Sequence, residues 1–310
     1  MDVLKRMVST PTALRRWAWA SLVANIGIIV TGAIVRLTGS GLGCDTWPQC
    51  NDGSYVPHGE VSHHSLIEFG NRTLTFVLIV IAVACWVTAR RVATAPTDRD
   101  RLVRRLTLVV ALGIPFQGVI GGITVLTDLN PFVVALHLLL SLVLVVLIVR
   151  LLFAVHEVVP DEVSGVDRGL TIAAFTLMML ACWLGTVVTG SGPHAGDGGV
   201  ARTGFNIETV ARLHSGTVWL TVATTVLVVL RAVRAGHRTL RRWAPVLLGV
   251  ELVQGAIGYL QYFTGLPVAV VLMHLLGAGL AAASAAAVLC SARRASATRA
   301  GLPESAASRA

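Results

Sequence analysis

The sequence predicts an all-α membrane protein: eight transmembrane helices forming two tandem four-helix bundles related by a pseudo-two-fold axis, with both termini cytoplasmic. Three observations carry this reading. The 310 residues are 55% hydrophobic and only 13% charged, with a mean hydropathy of +0.75, whereas soluble domains carry about 25% charged residues. The charges cluster between apolar stretches about twenty residues long, enough for a helix to cross the hydrocarbon core. The second half of the chain also repeats the first. This composition excludes a disordered chain, a disulfide-stapled secreted scaffold and an ordinary soluble enzyme. The net charge of +9 falls in short loops, which a lipid surface explains better than nucleic acid does.

Taken in order, the first span, 17–36, follows a basic head (Lys5, Arg6, Arg15, Arg16). It is too long for a signal peptide and lacks a small-residue cleavage site, so it is expected to remain as a helix. Spans 66–89 and 104–126 are separated by Arg90, Arg91, Arg99 and Arg101, and span 131–153 opens on Pro131, an accepted first position of a helix. A polar linker, 154–168, leads to spans 169–190 and 209–230. Arg231, Arg234, Arg238, Arg241 and Arg242 precede span 244–264, and span 267–291 opens on Pro267. The segment 293–310, rich in Ala, Ser and Arg without apolar periodicity, is expected to be disordered. The opposite connections, 37–65, 127–130, 191–208 and 265–266, hold only Arg202, with Arg36, Arg72 and Arg212 at their edges. The positive-inside rule therefore places both termini in the cytoplasm and the segments 37–65 and 191–208 outside.

Phe-Gln-Gly-Val-Ile-Gly-Gly at 116–122 returns as Val-Gln-Gly-Ala-Ile-Gly-Tyr at 253–259. The match continues without gaps at an offset of 137, pairing Gln117 with Gln254, Gly121 with Gly258 and His137 with His274. Thr-Gly-Ser-Gly at 38–41 recurs at 189–192. Four spans per copy give both copies the same orientation, so the domains are 1–153 and 169–292. The repeated glycines suit close helix approach, and the glutamines suit interhelical hydrogen bonds.

Ionisable groups inside spans are expensive and mark function. His137, His214 and His274 each lie about five to seven residues inside their spans from the outer side, about 10 Å deep at 1.5 Å per residue. Two facing imidazoles can hold a metal, and the absence of Cys, Asp or Glu from the motif favours haem over zinc. Hydrogen-bonded core histidines are the bland alternative. In the first half His137 has a partner only in Asn71, the counterpart of His214, and Glu68 stands one turn before it on the same face. One half thus offers two strong axial ligands and suits electron transfer. The other offers one ligand and an acid, which suits chemistry on the bound group. Arg72 and Arg212, with Arg36 and Arg202, are candidates to pair with haem propionates or to snorkel at the interface. The roles of Glu251, His63 and His64 stay open; His58, His156, His194 and His237 are expected on the solvent side. Cys44 and Cys50 lie six residues apart in the outer loop, where a disulfide is favoured over a metal site.

Together, Gly-Leu-Gly-Cys and Trp-Pro-Gln-Cys in the first outer loop, Glu68 at the start of span two, and histidines at 137, 214 and 274 resemble the haem A synthase family of cytochrome oxidase assembly. That resemblance covers roughly 17–292. It implies an oxidoreductase that converts the C8 methyl of haem O to the formyl of haem A through successive hydroxylations. It also implies His214 and His274 as axial ligands of a resident haem b, His137 as ligand of the substrate haem O, Glu68 as the catalytic carboxylate, and Cys44–Cys50 as a disulfide. Further implications are a bacterial plasma-membrane location, a haem O-producing farnesyltransferase as partner, and a membrane electron carrier. The chain departs from the family pattern at Asn71, where a histidine is usual, and lacks a second cysteine pair in 191–208. The rival from another class is a membrane b-type cytochrome that passes electrons from quinol without altering haem.

Overall fold

The structure, a computed structural model, describes residues 8–51, 53–58, 62–194, 196–197 and 199–295. Lys5, Arg6 and residues 296–310 of the expected disordered tail lie outside these. Among the described residues, eight helices are each long and apolar enough to cross a membrane: α1 (Pro11–Leu37), α2 (His63–Val92), α3 (Asp98–Leu126), α4 (Pro131–Val155), α5 (Gly165–Ser191), α6 (Ile207–Arg234), α7 (Arg238–Phe263) and α8 (Val268–Cys290). The first seven extend past the apolar spans at one or both ends, because polar residues beyond the hydrocarbon cap them. The side chains of Thr10, Ser62, Thr97, Asn130, Ser164 and Asn206 accept backbone N–H bonds from the first turns of α1 to α6. Pro131 is the first helical residue of α4, as expected, whereas Pro267 is the cap residue of α8 and stands one position before that helix begins.

Consecutive helices pack side by side, and each set of four closes into a ring, α1 on α4 and α5 on α8. The rings meet through α4 against α8, α1 against α8 and α4 against α5. Exchanging α1 with α5 and α4 with α8 maps this set of contacts onto itself, as a two-fold relation between the halves requires. Helix alternation puts the connections 38–62, 127–130, 192–206 and 264–267 on one face, called here the loop face. The connections bearing most of the arginines lie on the opposite, arginine face.

On the arginine face two short strands pair in parallel, β1 (Asp161–Val163) with β2 (Ala292–Arg294), in the register Asp161–Ala292, Glu162–Arg293 and Val163–Arg294. Nothing in the apolar pattern marks them. The expected linker 154–168 therefore contains a strand, and Arg293 and Arg294 are in regular structure although the tail was expected to lose it from 293. Burial of Val163 (1% exposed) and the carboxylate of Asp161 account for the pairing. That carboxylate accepts the Arg238 and Leu240 N–H groups at the start of α7, where no side chain of α7's own cap residue does so.

The close-packed apolar clusters are concentrated in one half of the bundle's depth. One cluster joins Leu14–Ile29 of α1, Leu78–Ala89 of α2, Val103–Ile114 of α3 and Leu142–Val155 of α4 with Ala282, Ala286 and Ala287 of α8. A second gathers Ala174 and Met178, Val228 and Ala232, Leu240 to Leu247, and Ala281 to Val288. Both lie toward the arginine face. Toward the loop face the same helices present histidines and glycines instead.

Candidate cofactor site

In the second half, α6 and α8 bring His214 and His274 face to face, with ring centroids 6.4 Å apart and planes at 78°. Two imidazoles bonded at about 2.0 Å to opposite sides of one metal ion have ring centres about 6 Å apart, so the pair is spaced to share an ion. His214 Nδ1 lies 2.9 Å from the Ala181 carbonyl on α5. A proton on Nδ1 makes that bond and leaves Nε2 with a free lone pair, the tautomer a metal ligand needs. His274 Nδ1 is buried without a hydrogen-bond partner. Glycines flank both rings: a Cβ at Gly185 would stand 3.4 Å from His214 Cε1, and one at Gly258 would stand 3.5 Å from His274 Cε1. Gln254 lies against α8 so closely that a Cβ at Gly277 would fall 1.5 Å from its Nε2. This donor set, two imidazoles with glycine walls above a core that stops short, fits a flat macrocycle with its iron between the rings.

The first half keeps part of this arrangement. Gly121 stands to His137 as Gly258 does to His274, at 3.5 Å from Cε1. Gln117 Nε2 donates to the His137 carbonyl at 3.1 Å and to Ser141 Oγ at 2.7 Å, while His137 Nδ1 is buried and unpartnered. Among the described residues no second imidazole faces His137. Asn71 accepts from Thr31 Oγ1 at 2.7 Å, tying α2 to α1. The His63 and His64 rings lie 4.0 Å apart, tilted by 39°, at the start of α2, and His64 Nδ1 bonds to Ser40 Oγ at 2.9 Å.

Above this half sits the loop closed by the Cys44–Cys50 disulfide. Glu68, 4% exposed, is its anchor. Glu68 Oε2 accepts the Cys44 N–H at 2.7 Å, and Oε1 accepts Arg72 Nη2 at 2.6 Å and Nε at 3.1 Å. Arg72 spends its other N–H groups on the carbonyls of Cys44, Thr46 and Gln49. The loop so held lays the Trp47 indole across Gly122, where a Cβ would meet the ring at 2.3 Å. Trp47 was not among the expected site residues. Its position one residue beyond Gly121 depends on the loop's path, which no spacing in the sequence reveals.

The four outer arginines differ in their partners. Arg72 has no donor left for a cofactor carboxylate. Arg212 pairs with Glu208 at 2.5 Å and is largely exposed; two positions from His214 along a helix, it projects to the opposite side. Arg36 reaches across to the second half, donating to the His194 carbonyl at 2.6 Å and the Thr189 carbonyl at 3.0 Å. Arg202 donates to the carbonyls of Val200 and Pro193 in its own loop. Neither Arg36 nor Arg202 has an acid partner among the described residues. His194 is half-buried and bonds the Leu266 carbonyl at 3.1 Å, so it fastens two loop-face connections together where a solvent position was expected. His237 is likewise half-buried, as the cap residue of α7.

Fold and site together define a multi-pass helical membrane protein built from two four-helix units, with paired imidazoles facing each other inside one of them. The chain belongs to the cytochrome oxidase assembly protein family, whose COX15-CtaA model matches residues 15–196. Curated relatives named haem A synthase include that of Listeria monocytogenes serotype 4a, 28% identical over 186 residues, which are 56% of this chain and 58% of the relative. The protein of that name from Lysinibacillus sphaericus is 33% identical over 148 residues, 45% of each chain. In Geobacillus kaustophilus it is 28% identical over 149 residues, 47% of this chain and 44% of the relative. The match thus spans less than two thirds of the length of each of these relatives.

Proposed function

We propose that the protein is a haem A synthase, oxidising the C8 methyl group of substrate haem O to the formyl group of haem A for cytochrome c oxidase assembly. The observation that carries this reading is the opposed pair His214 and His274 in a half-bundle whose apolar core stops below them, combined with membership of the assembly family. In this reading His214 and His274 hold a resident haem b, and the substrate haem O lies in the first half against His137. Bound haem b supplies one-electron redox chemistry that protein side chains lack.

The chain's own residues then divide the work. His214 presents Nε2 because Nδ1 is tied to Ala181. Gly121, Gly185 and Gly258 leave room for a flat ring beside each histidine. Glu68 stands at the rim of the substrate half, and Arg72 positions it there while holding the loop that carries Trp47. Asn71 keeps α2 registered on α1 through Thr31. The cofactor's carboxylates belong at the loop face near Arg36 and Arg202, the outer arginines without acids, rather than at Arg72 or Arg212. The two units 1–153 and 169–292 act as substrate and electron-transfer halves. The arginine face with both termini is cytoplasmic in a bacterial plasma membrane. A haem O-producing farnesyltransferase and a membrane electron carrier are the partners this activity requires. An unmodifying b-type cytochrome finds no support among the relatives.

The test is an absorption spectrum and haem extraction of purified protein expressed with a source of haem O. Wild type should carry haem b together with haem A or its hydroxylated precursor, and His214→Ala should lose the haem b. A colourless wild type under ample haem supply, or one that carries haem b and leaves haem O unaltered, overturns the reading.

A further inference from the structure

Glu251 lies in the middle of α7, thirteen residues from Arg238 and twelve from Phe263, about 20 Å from either end at 1.5 Å per residue. Its side chain is 2% exposed. Thr225 Oγ1 on α6 donates to Oε1 at 2.8 Å, and Oε2 is buried with no hydrogen-bond partner. The bundle does not need an acid at this place. The repeat aligns Glu251 with Ile114, 3% exposed in the core of the first half. The acid is therefore present only in the half that carries the paired histidines.

The face of α7 that bears Glu251 leads directly to that pair. Gln254 is one turn on and packs against Gly277; Gly258 is another turn on and lies against the His274 ring. Seven residues of rise put Glu251 about 10 Å below that contact. The elements packed against α7 bring no other charge to this depth. On α6, Glu208, Arg212 and His214 lie toward the loop face, and Arg231 and Arg234 toward the arginine face, with Arg231 paired to Asp167 of α5. On α8 the titratable groups are His274 and Cys290, and on β1 they are Asp161 and Glu162 at the arginine face.

We propose that Glu251 is a proton-binding site that takes up one proton when the haem between His214 and His274 is reduced. The proposal rests on the haem reading given above. A ferric haem with two neutral imidazoles would carry a net positive charge, and among the described residues no side-chain cation lies at this depth to offset a buried Glu251 carboxylate. One electron from a one-electron donor converts ferric to ferrous and removes the charge. The carboxylate is then unpaired in a low-dielectric interior. One proton from a hydronium ion of the solvent adds to its free Oε2, forming one O–H bond as the donor's breaks and leaving a water molecule. A unit charge about 10 Å away at an effective dielectric of about 20 alters proton affinity on the order of tenfold.

The experiment is a spectroelectrochemical redox titration of the purified, haem-loaded full chain between about pH 6 and pH 9. It is run on wild type, Glu251→Gln and Glu251→Ile; the last copies the residue of the first half and guards against misfolding. Wild type should show a midpoint potential that falls as pH rises, and both variants should keep their haem and lose the slope. Reduced-minus-oxidised infrared spectra should show a protonated carboxyl band, shifted in heavy water, in wild type only. A flat wild-type profile, or a slope that survives in Glu251→Gln, overturns the proposal while leaving the haem reading standing. A wild type without haem overturns both.

Discussion

At the scale of single residues, His137, His214 and His274 look alike in the sequence and are separated by their partners. His214 has its Nδ1 engaged and an imidazole opposite; His137 has neither. Replacing either member of the facing pair by alanine should abolish the resident haem, read as loss of the pyridine haemochrome signal. His137→Ala should keep that haem and lose conversion of haem O. Glu68 is also defined by its partners. Glu68→Gln keeps the shape and removes the charge from three hydrogen bonds, and charge-assisted bonds are about twice as strong as neutral ones. It should cut haem A formation at least tenfold and lower the Tm by a few degrees, measured by haem extraction and by thermal unfolding in detergent. Unchanged turnover in a stable variant would reduce Glu68 to a loop anchor. The sequence displayed the histidines because ionisable groups in apolar spans stand out at a shared depth. It hid the fate of Arg72, because that depends on backbone carbonyls of a loop whose path has no periodicity.

At the scale of elements, the apolar spans showed through and the helix ends did not. Hydropathy reports the stretch inside hydrocarbon, whereas the helices run on until a polar cap stops them, as Thr97 does seven residues before the expected start at 104. The strand pair β1–β2 was invisible for a related reason: three residues offer no period to read, and the pairing depends on the connection before α5 and the segment after α8 being brought together by the bundle. The outer loop is the element whose sequence said most, through Cys44 and Cys50, yet its close contacts sit at glycines. A Cβ on Gly43 would fall 2.4 Å from the His64 carbonyl oxygen, which is backbone and has little room to move. Gly43→Ala should therefore cost about 1–3 kcal/mol, the usual penalty of overpacking. Thermal unfolding should show it as a lowered Tm, with the haem proposed for His214 and His274 still present because the strain lies over the other half. Gly53→Ala in the same loop is a weaker control. No atom crowds that position, although its φ of +79° carries a conformational cost of its own.

At the scale of the whole molecule, the question is how far the two halves stand alone. The repeat announced them, and each closes its own ring of helices. Their cores are not independent, however. Ala282, Ala286 and Ala287 of α8 are at most 2% exposed and belong to the cluster centred on the first half. Arg36 of α1 holds the Thr189 carbonyl in the last turn of α5 and the His194 carbonyl in the loop after it. The connection between halves, 156–160, contributes little beside these contacts, and both strands of the β1–β2 pair fall on its C-terminal side. Cutting the chain there should accordingly separate connectivity from packing. Coexpressed fragments 1–158 and 159–310 should co-purify and carry the same haem per assembled pair as the intact chain. Fragment 159–310 expressed alone keeps both His214 and His274 but loses the surface that covers the alanine face of α8. It should recover poorly from the membrane and hold less haem, even though every ligand is present. Equal haem content in the lone fragment would show that the second half is a complete cofactor-binding unit. Failure of the coexpressed pair to assemble would show that the 156–160 connection does more than join two self-sufficient rings.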